Sequence, residues 1–163
     1  MKRATAVLVA VLVVLAAIGA GAGTWRLVRD SGPRQPQISA YTNGHVIRAG
    51  PYLYCDVLDL NACEVPQEQG ELAVNRDHPI QLSVDSVIGH APWRLLRVYR
   101  DPDDTTTTLY RPNSTMAVTI PTTDPHRGPL QGIVVQLLTL VVDVSGQLFE
   151  VPHAEWSVQM MWD

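Results

Sequence analysis

The two cysteines, Cys55 and Cys63, are the residues of this chain with the most defined chemistry. They enclose seven residues in the stretch "YLYCDVLDLNACEV". A zinc site needs four ligands, and no His or Cys pair lies nearby at metal-binding spacing. A redox pair is usually C-x-x-C, which this is not. Two cysteines that meet in an exported domain normally oxidise, so we predict a structural disulfide between them, with no metal and no reactive thiol.

The other residue types that could perform catalysis do not form a known pattern. No H-x-H, H-E-x-x-H or G-x-S-x-G motif is present, and neither is a Gly-rich phosphate loop. The stretch "DPDD" at 101–104 could attract calcium through its carboxylates, but it lacks the glycine and the distal Glu of a known calcium loop. The five histidines are each expected at a strand end or turn. The sequence therefore predicts a protein that is not an enzyme, with no catalytic residue, no cofactor and no bound metal.

Three loops are predicted as recognition surfaces, because loops on a rigid β scaffold carry binding more often than its strands do. They are the loop between the cysteines, the loop "RDPDDTTTT" and the loop "PTTDPHRGP". The alternative for each is a solvated connector. The candidate side chains in the three loops are, in order, Asp56 and Asp59; Asp101, Asp103 and Asp104; and His126 and Arg127.

The N-terminal residues indicate where such loops would face. Two basic residues precede twenty residues without charge, 4–23, and a helix of that length spans roughly 30 Å of hydrocarbon. Residues 1–23 are therefore predicted to be a retained single-pass membrane anchor. Trp25 followed by Arg26 resembles an interfacial anchor and favours retention. The alternative is a signal peptide cleaved near Ala22, after the small-residue pattern "AGA", which would leave a secreted domain.

The rest of the chain divides into a linker and a domain. Residues 24–36 hold three Arg and two Pro without a sustained apolar period and predict a linker. Residues 37–163 are predicted to form one domain that faces the periplasm or the cell exterior. After residue 23 the chain carries ten Arg against sixteen Asp and Glu, a formal net charge of −6. An acidic domain lacks the electrostatic term that dominates nucleic-acid binding, so nucleic acid is not expected as a partner.

The period of the apolar residues from Gln37 onward is two, which is typical of β-strands. Eight or nine strands and no helix are predicted after residue 30, with a hairpin turn at Asn43-Gly44. The segment "GIVVQLLTLVVDV" is predicted to be a strand buried on both faces. Trp93 is predicted to lie in the core, and the final stretch "EWSVQMMW" to turn Trp156, Val158, Met160 and Trp162 to one side.

These elements predict an all-β fold. Short strands with frequent turns favour an antiparallel sandwich of the immunoglobulin-like or fibronectin-like type behind one N-terminal transmembrane or signal helix. The chain also resembles an actinobacterial family of small envelope proteins, domain of unknown function 2771. The resemblance rests on "YCDV" with its second cysteine, "HPIQLSV" and "APWRLLRVYRD", and covers most of residues 45–160. It implies an envelope location and transfers no catalytic residue.

Together these features predict a non-enzymatic, membrane-anchored envelope protein. Its expected work is binding, as an accessory or partner of another membrane or envelope protein. The alternative is an enzyme or carrier that acts on cell-envelope lipid or glycan through a cavity between the sheets. A filled core between the sheets would favour the first function, and a deep apolar cavity lined by residues such as Trp93 and Leu137 would favour the second.

Overall fold

The computed structural model describes residues 13–26 and 35–162. The chain divides into two compact units, Met1–Arg34 and Gln35–Asp163. In the first unit, residues 13–26 form a helix, α1, whose apolar side chains Val13, Val14, Leu15 and Ile18 are exposed. Within the described ranges, no helix is both long and apolar enough to cross a membrane. The predicted anchor over 1–23 and the predicted linker over 24–36 lie partly outside the described residues.

The described part of the second unit consists of strands joined by turns and two short helices. In chain order the elements are β1 (Ile38–Thr42), β2 (His45–Ala49), β3 (Leu53–Cys55), β4 (Cys63–Glu64), β5 (Gln69–Val74), β6 (Ile80–Val84), α2 (Ser86–Gly89), β7 (Trp93–Tyr99), the 3-10 helix η1 (Pro102–Asp104), β8 (Thr106–Tyr110), β9 (Ala117–Ile120), β10 (Thr123–Asp124), β11 (Gly128–Val142) and β12 (Leu148–Trp162). The sequence pattern does not predict α2, because a single turn is too short to show a helical period. The described residues contain twelve strands rather than the predicted eight or nine, because three of the strands have only two or three residues.

The first hairpin is the one predicted. Asn43 and Gly44 both have positive φ, 44° and 80°, as the two central residues of a type I′ turn require. Thr42 lies opposite His45 across this turn. The strand pairing of β1 with β2 is therefore determined locally, by two residues that tolerate the left-handed region of φ.

The strands form two sheets. The small sheet has the order β2-β1-β6-β9, and every pair in it is antiparallel. The large sheet has the order β4-β3-β12-β11-β7-β8, with β10 paired to β11 and β5 paired to β12. The β5–β12 pair is parallel, which is the exception to the predicted antiparallel pairing. The fold is thus mostly antiparallel β.

One hydrophobic core contains residues of both sheets. Trp93 is fully buried, stacks on Tyr110 at 4.2 Å between ring centroids and donates its indole N–H to the Thr115 carbonyl at 3.2 Å. Trp156 is also fully buried and donates to the Pro36 carbonyl at 2.8 Å. Because both ring nitrogens have acceptors, the two largest core side chains are buried without an unsatisfied polar group.

The two longest strands present one face to this core. On β12, Trp156, Val158 and Met160 are buried and Trp162 is half-buried, which confirms the predicted facing. On β11, Ile133, Val135 and Leu137 are buried, whereas the alternating Val134 and Gln136 are only half-buried and the strand becomes exposed from Leu140. The prediction that β11 is buried on both faces is wrong, because the small sheet covers one face only.

Candidate functional site

The two cysteines form the predicted disulfide. Cys55 and Cys63 are bonded at 1.99 Å and lie directly opposite each other in the pairing of β3 with β4. Cys55 is buried and Cys63 is exposed. The bond therefore joins the two ends of the loop 56–62, called here the cysteine loop, at the edge of the large sheet.

The two carboxylates predicted for recognition in the cysteine loop also shape it. Asp56 Oδ1 accepts the backbone N–H of Leu58 at 2.8 Å, and Asp59 Oδ1 accepts that of Asn61 at 3.0 Å. Such Asx turns hold a loop without secondary structure of its own. The two turns make the loop tight and leave the side chain of Leu58 95% exposed.

The cysteine loop flanks a long hairpin made by β11 and β12. Tyr54 of β3 lies opposite Ala154 of β12, and the ring Nδ1 of His153 lies 3.4 Å from the Cys55 carbonyl oxygen. Since β3 runs antiparallel to β12, the chain beyond Cys55 runs toward the beginning of β12. The loop thus lies beside the part of the hairpin nearest its turn.

The end of the hairpin extends past the rest of the large sheet. The pairing of β7 with β11 stops at Trp93 opposite Leu137, whereas β11 and β12 remain paired to Val142 opposite Leu148. Beyond Leu137, β12 is the only described strand that pairs with β11. The last turn of the hairpin therefore has no neighbouring strand to cover it.

The hairpin turn is organised by Asp143. Its Oδ1 accepts the backbone N–H groups of Ser145 at 2.8 Å and Gln147 at 2.9 Å, and Gly146 takes the positive φ of 83° that closes the turn. The Ser145 hydroxyl and these backbone N–H groups hold the pKa of the Asp143 carboxyl below its ordinary value. An ionised Asp143 therefore stabilises the turn.

The uncovered surface is apolar. It comprises the large side chains of the hairpin end and of the cysteine loop, between 45% and 110% exposed, and we call it the apolar end: Val57, Leu58, Leu140, Val142, Val144, Leu148 and Phe149. A groove of about 390 Å³, lined by Pro92, Leu138, Thr139, Leu140 and Glu150, opens beside it. Val142 and Leu148 are neighbours across the last pair of the hairpin, and clustered exposed hydrophobics are more typical of an interaction surface than single ones are.

Three acidic residues without an ion-pair partner among the described residues lie in the same two segments: Asp56 and Asp59 of the cysteine loop and Asp143 of the turn. Glu150 of β12 is paired with Arg94 at 3.2 Å. The surface thus combines exposed apolar side chains with a polar border, as protein–protein interfaces commonly do.

The other two predicted recognition loops lie at the far end of the large sheet. Tyr99 pairs with Leu130, so the loop after β7 and the loop before β11 are neighbours. Gly128–Val142 spans 15 residues, roughly 45 Å at the usual rise of a strand. The structure therefore brings two of the predicted loops together and separates both from the cysteine loop.

Two of the five candidate side chains in those two loops, Asp101 and Arg127, have structural roles. Asp101 caps η1 by accepting the N–H of Asp103 at 3.1 Å. Asp124 accepts the N–H of His126 at 2.9 Å and pairs with the Arg127 guanidinium at 3.3 Å. These interactions, the His126 backbone N–H first among them, lower the pKa of the Asp124 carboxyl. Asp103, Asp104 and His126 have solvent contact and no such role. Among residues 13–26 and 35–162, no three His, Cys, Asp or Glu side chains are grouped to hold a metal ion.

Sequence reasoning missed the hairpin end. The stretch from Leu138 to Phe149 reads as a buried strand and turn because it is rich in Leu and Val. Alternation gives no signal of this exposure, because apolar residues occupy consecutive positions both at 133–135, before Leu137, and at 140–142, after it. Such a run fits burial on two faces or exposure for a partner equally well.

The fold and the surface define a class of mostly antiparallel β protein with a disulfide-bounded loop and an apolar hairpin end. Residues 31–161 match the family described as protein of unknown function (DUF2771), and the chain belongs to that family. It is 62% identical over 162 residues to the "Uncharacterized protein Rv0875c" of Mycobacterium tuberculosis and, at the same identity, to the "Uncharacterized protein Mb0899c" of Mycobacterium bovis. Each alignment covers 99% of this chain and 100% of the relative. No solved structure matches the chain.

Proposed function

We propose that this protein is a non-enzymatic, membrane-anchored envelope protein that docks onto another membrane or envelope protein through the apolar end. The observation that carries the proposal is the cluster of exposed Leu, Val and Phe side chains on a hairpin that no other described strand covers. Burial of such side chains against a partner is favourable by about 25 cal/mol for each Å² of apolar area.

Charge favours a protein partner over a lipid surface. Anionic headgroups attract Lys and Arg, whereas the segments of the apolar end carry the acidic residues Asp56, Asp59 and Asp143. These acidic residues would be repelled by such a membrane surface and attracted by a partner with Arg or Lys around an apolar centre. The occupant we propose is therefore a protein with a basic rim.

The point at which the chain enters the second unit supports a partner in the same membrane. The Gln35 side-chain amide donates a hydrogen bond to the Glu64 carboxylate, next to Cys63 at the foot of the cysteine loop. The uncharged run over 4–23 supports an anchor, and a linker over 24–36 reaches at most about 45 Å when extended. A domain on so short a tether encounters its membrane neighbours at high effective concentration.

We also propose that the two sheets are an immunoglobulin-like sandwich. The pairing of β12, β11 and β7 corresponds to the order G, F, C, and that of β1, β6 and β9 to the order A, B, E. The chain passes from β6 in the small sheet to β7 in the large one and returns at β9, as a Greek key requires. A rigid sandwich of this type is a common scaffold for binding loops.

The alternative, an enzyme or carrier that uses a cavity between the sheets, is less well supported. The space between the sheets is filled by side chains, with Trp93, Trp156, Leu95 and Ile133 fully buried. The clefts found on the described residues open to the surface. A filled interior favours binding at the surface over enclosure of a lipid or glycan.

Purification of the intact protein from membranes of its own organism tests the proposal. Wild type is compared with Val142→Asp/Leu148→Asp at the apolar end, and with the matched control Val46→Asp, which alters an equally exposed valine of the small sheet (65% exposed). We expect wild type and the control to co-purify with the same envelope protein, and the double variant to lose it. Retention of that protein by the double variant would contradict the proposal, as would loss in the control alone.

A further inference from the structure

A second surface feature lies at the end of the large sheet opposite the apolar end. A cleft of about 670 Å³ is bounded by the loop after β5, the end of β7, the start of β11 and the end of β12. The residues that line it are Asn75, Arg76, Asp77, Arg100, Pro129, Gln131 and Trp162. Two of these elements adjoin loops that the sequence singled out: Arg100 is the first residue of "RDPDDTTTT", and Pro129 is the last residue of "PTTDPHRGP".

Two arginines line this cleft, and neither forms an ion pair with a described residue. The described ion pairs involve Arg94 and Arg127, and neither Arg76 nor Arg100 forms a hydrogen bond or an ion pair with a described residue. Both are exposed. The chain after residue 23 has a formal charge of −6, whereas this cleft has two guanidinium groups against the single carboxylate of Asp77. The cleft is therefore a locally positive site that attracts an anion.

The position of Arg76 is determined by its own loop. Asn75 Oδ1 accepts the backbone N–H groups of Asp77 and His78, each at 3.1 Å. This Asx turn fixes the backbone on both sides of Arg76. The charged group is thus presented from an ordered turn, which lowers the entropy lost when it binds a ligand.

An aromatic ring of fixed orientation also lines the cleft. Trp162 is half-buried, and its indole N–H donates to the Leu130 carbonyl at 2.9 Å. The ring is therefore held in place while part of it contacts the cleft. A partly exposed indole of this kind offers a flat apolar surface, and Asp77 and the Gln131 amide add polar groups for hydroxyls.

We propose that this cleft binds an anionic saccharide. The guanidinium groups of Arg76 and Arg100 would receive its carboxylate or phosphate, the sugar ring would lie against Trp162, and Asp77 would accept hydrogen bonds from its hydroxyls. An inorganic anion alone would leave Trp162 and Asp77 unused, and a neutral sugar would leave the arginines uncompensated. The site is independent of the docking function proposed above.

Titration of the intact protein with four probes, monitored by NMR amide shifts, tests this inference. The probes are glucose 1-phosphate, glucuronate, glucose and inorganic phosphate. We expect at least one of the two anionic sugars to bind about tenfold more tightly, or better, than either glucose or phosphate. An anionic sugar can contact both the arginines and the Trp162 ring, whereas glucose and phosphate can each contact only one of them. Comparison of the two anionic sugars distinguishes a phosphate from a carboxylate ligand.

Variants then assign the binding to the cleft. The double variant Arg76→Gln/Arg100→Gln should lower the affinity for the anionic sugar by about tenfold or more. The control Arg111→Gln alters an exposed arginine outside the cleft and should leave this affinity unchanged. Trp162→Ala should remove the preference for the sugar over phosphate. The variant Leu148→Glu at the apolar end should bind the anionic sugar with the affinity of wild type. The result of this test is therefore independent of the docking proposal.

Three results would overturn the inference. They are no saturable shift with either anionic sugar at millimolar concentration, wild-type binding by the double arginine variant, and equal binding of phosphate and anionic sugar. The last would mean an adventitious ion only. Because both arginines are exposed, their substitution should leave the fold intact, and the unchanged dispersion of the NMR spectrum verifies this.

Discussion

Val142 and Leu148 lie opposite each other on the last pair of the β11–β12 hairpin, and they are 60% and 66% exposed. Both are large apolar side chains at positions where a strand exposed only to water usually has polar ones. Their exposure supports the docking function proposed above.

The first prediction separates stability from binding at this pair. Val142→Ser/Leu148→Ser should change the free energy of unfolding by no more than about 0.5 kcal/mol per site, because neither side chain is buried. The same variant should be more soluble, since it removes exposed apolar surface. Chemical denaturation and a solubility titration measure the two effects. A loss of several kcal/mol would mean that the hairpin end packs against the domain.

The second prediction concerns the core. Trp93→Ala should lower the free energy of unfolding by about 3–5 kcal/mol, as large-to-small aromatic substitutions in cores do, since Trp93 is fully buried against Tyr110. The control is Val46→Ala at an exposed position of β2, which should have little effect. Similar melting temperatures for the two variants would show that the indole is not in the core.

The third prediction concerns the disulfide. Reduction, or the pair Cys55→Ser/Cys63→Ser, should lower the free energy of unfolding by about 2.5 kcal/mol, the chain-entropy value for so short a loop, and leave the fold intact. Native protein should not react with alkylating reagents until it is reduced. Mass spectrometry after alkylation measures this. Two free thiols in protein taken from the envelope would contradict both the bond and an extracytoplasmic location.

The fourth prediction concerns pH. Hydrogen bonds from Ser145 and Gln147 lower the pKa of Asp143 in the folded protein. The resulting stabilisation of the turn is present above the ordinary carboxyl pKa and is lost as the pH falls through the lowered folded value. Amide exchange at Ser145–Gln147 should therefore accelerate on acidification relative to the rest of the sheet.

A pair of variants isolates this effect. Asp143→Asn should show faster exchange in the turn already at neutral pH and a weaker response to acid. Asp104→Asn, whose carboxylate accepts no backbone N–H in the described structure, should behave as wild type. Unchanged turn exchange in Asp143→Asn would show that the carboxylate does not organise the hairpin.

Much of the fold follows from local sequence. Asn43-Gly44 determines a two-residue turn, and the strict alternation from Trp156 to Trp162 determines which face of β12 is buried. The disulfide follows from two cysteines in one short segment. Each of these features depends on residues close together in the chain, so the sequence contains the whole signal.

The surfaces could not be predicted in the same way. The cleft combines Arg76, Arg100 and Trp162 from three distant segments. The parallel pairing of β5 with β12 and the antiparallel pairings of β12 with β11 and of β11 with β7 bring them together. The exposure of Leu140 depends on where β7 stops. Non-local strand pairing is not encoded in any short pattern, so neither surface has a sequence signature.

Site-specific photo-crosslinking in intact cells tests the docking proposal most directly. A photoreactive residue is placed at Leu148 in the apolar end or at Val46 in the small sheet, two exposed apolar positions of similar exposure, 66% and 65%. We expect the residue at Leu148 to give one abundant crosslink to an envelope protein, identified by mass spectrometry, and the residue at Val46 to give none. Crosslinks from Leu148 to lipid alone, or the same crosslinked protein from both positions, would contradict it.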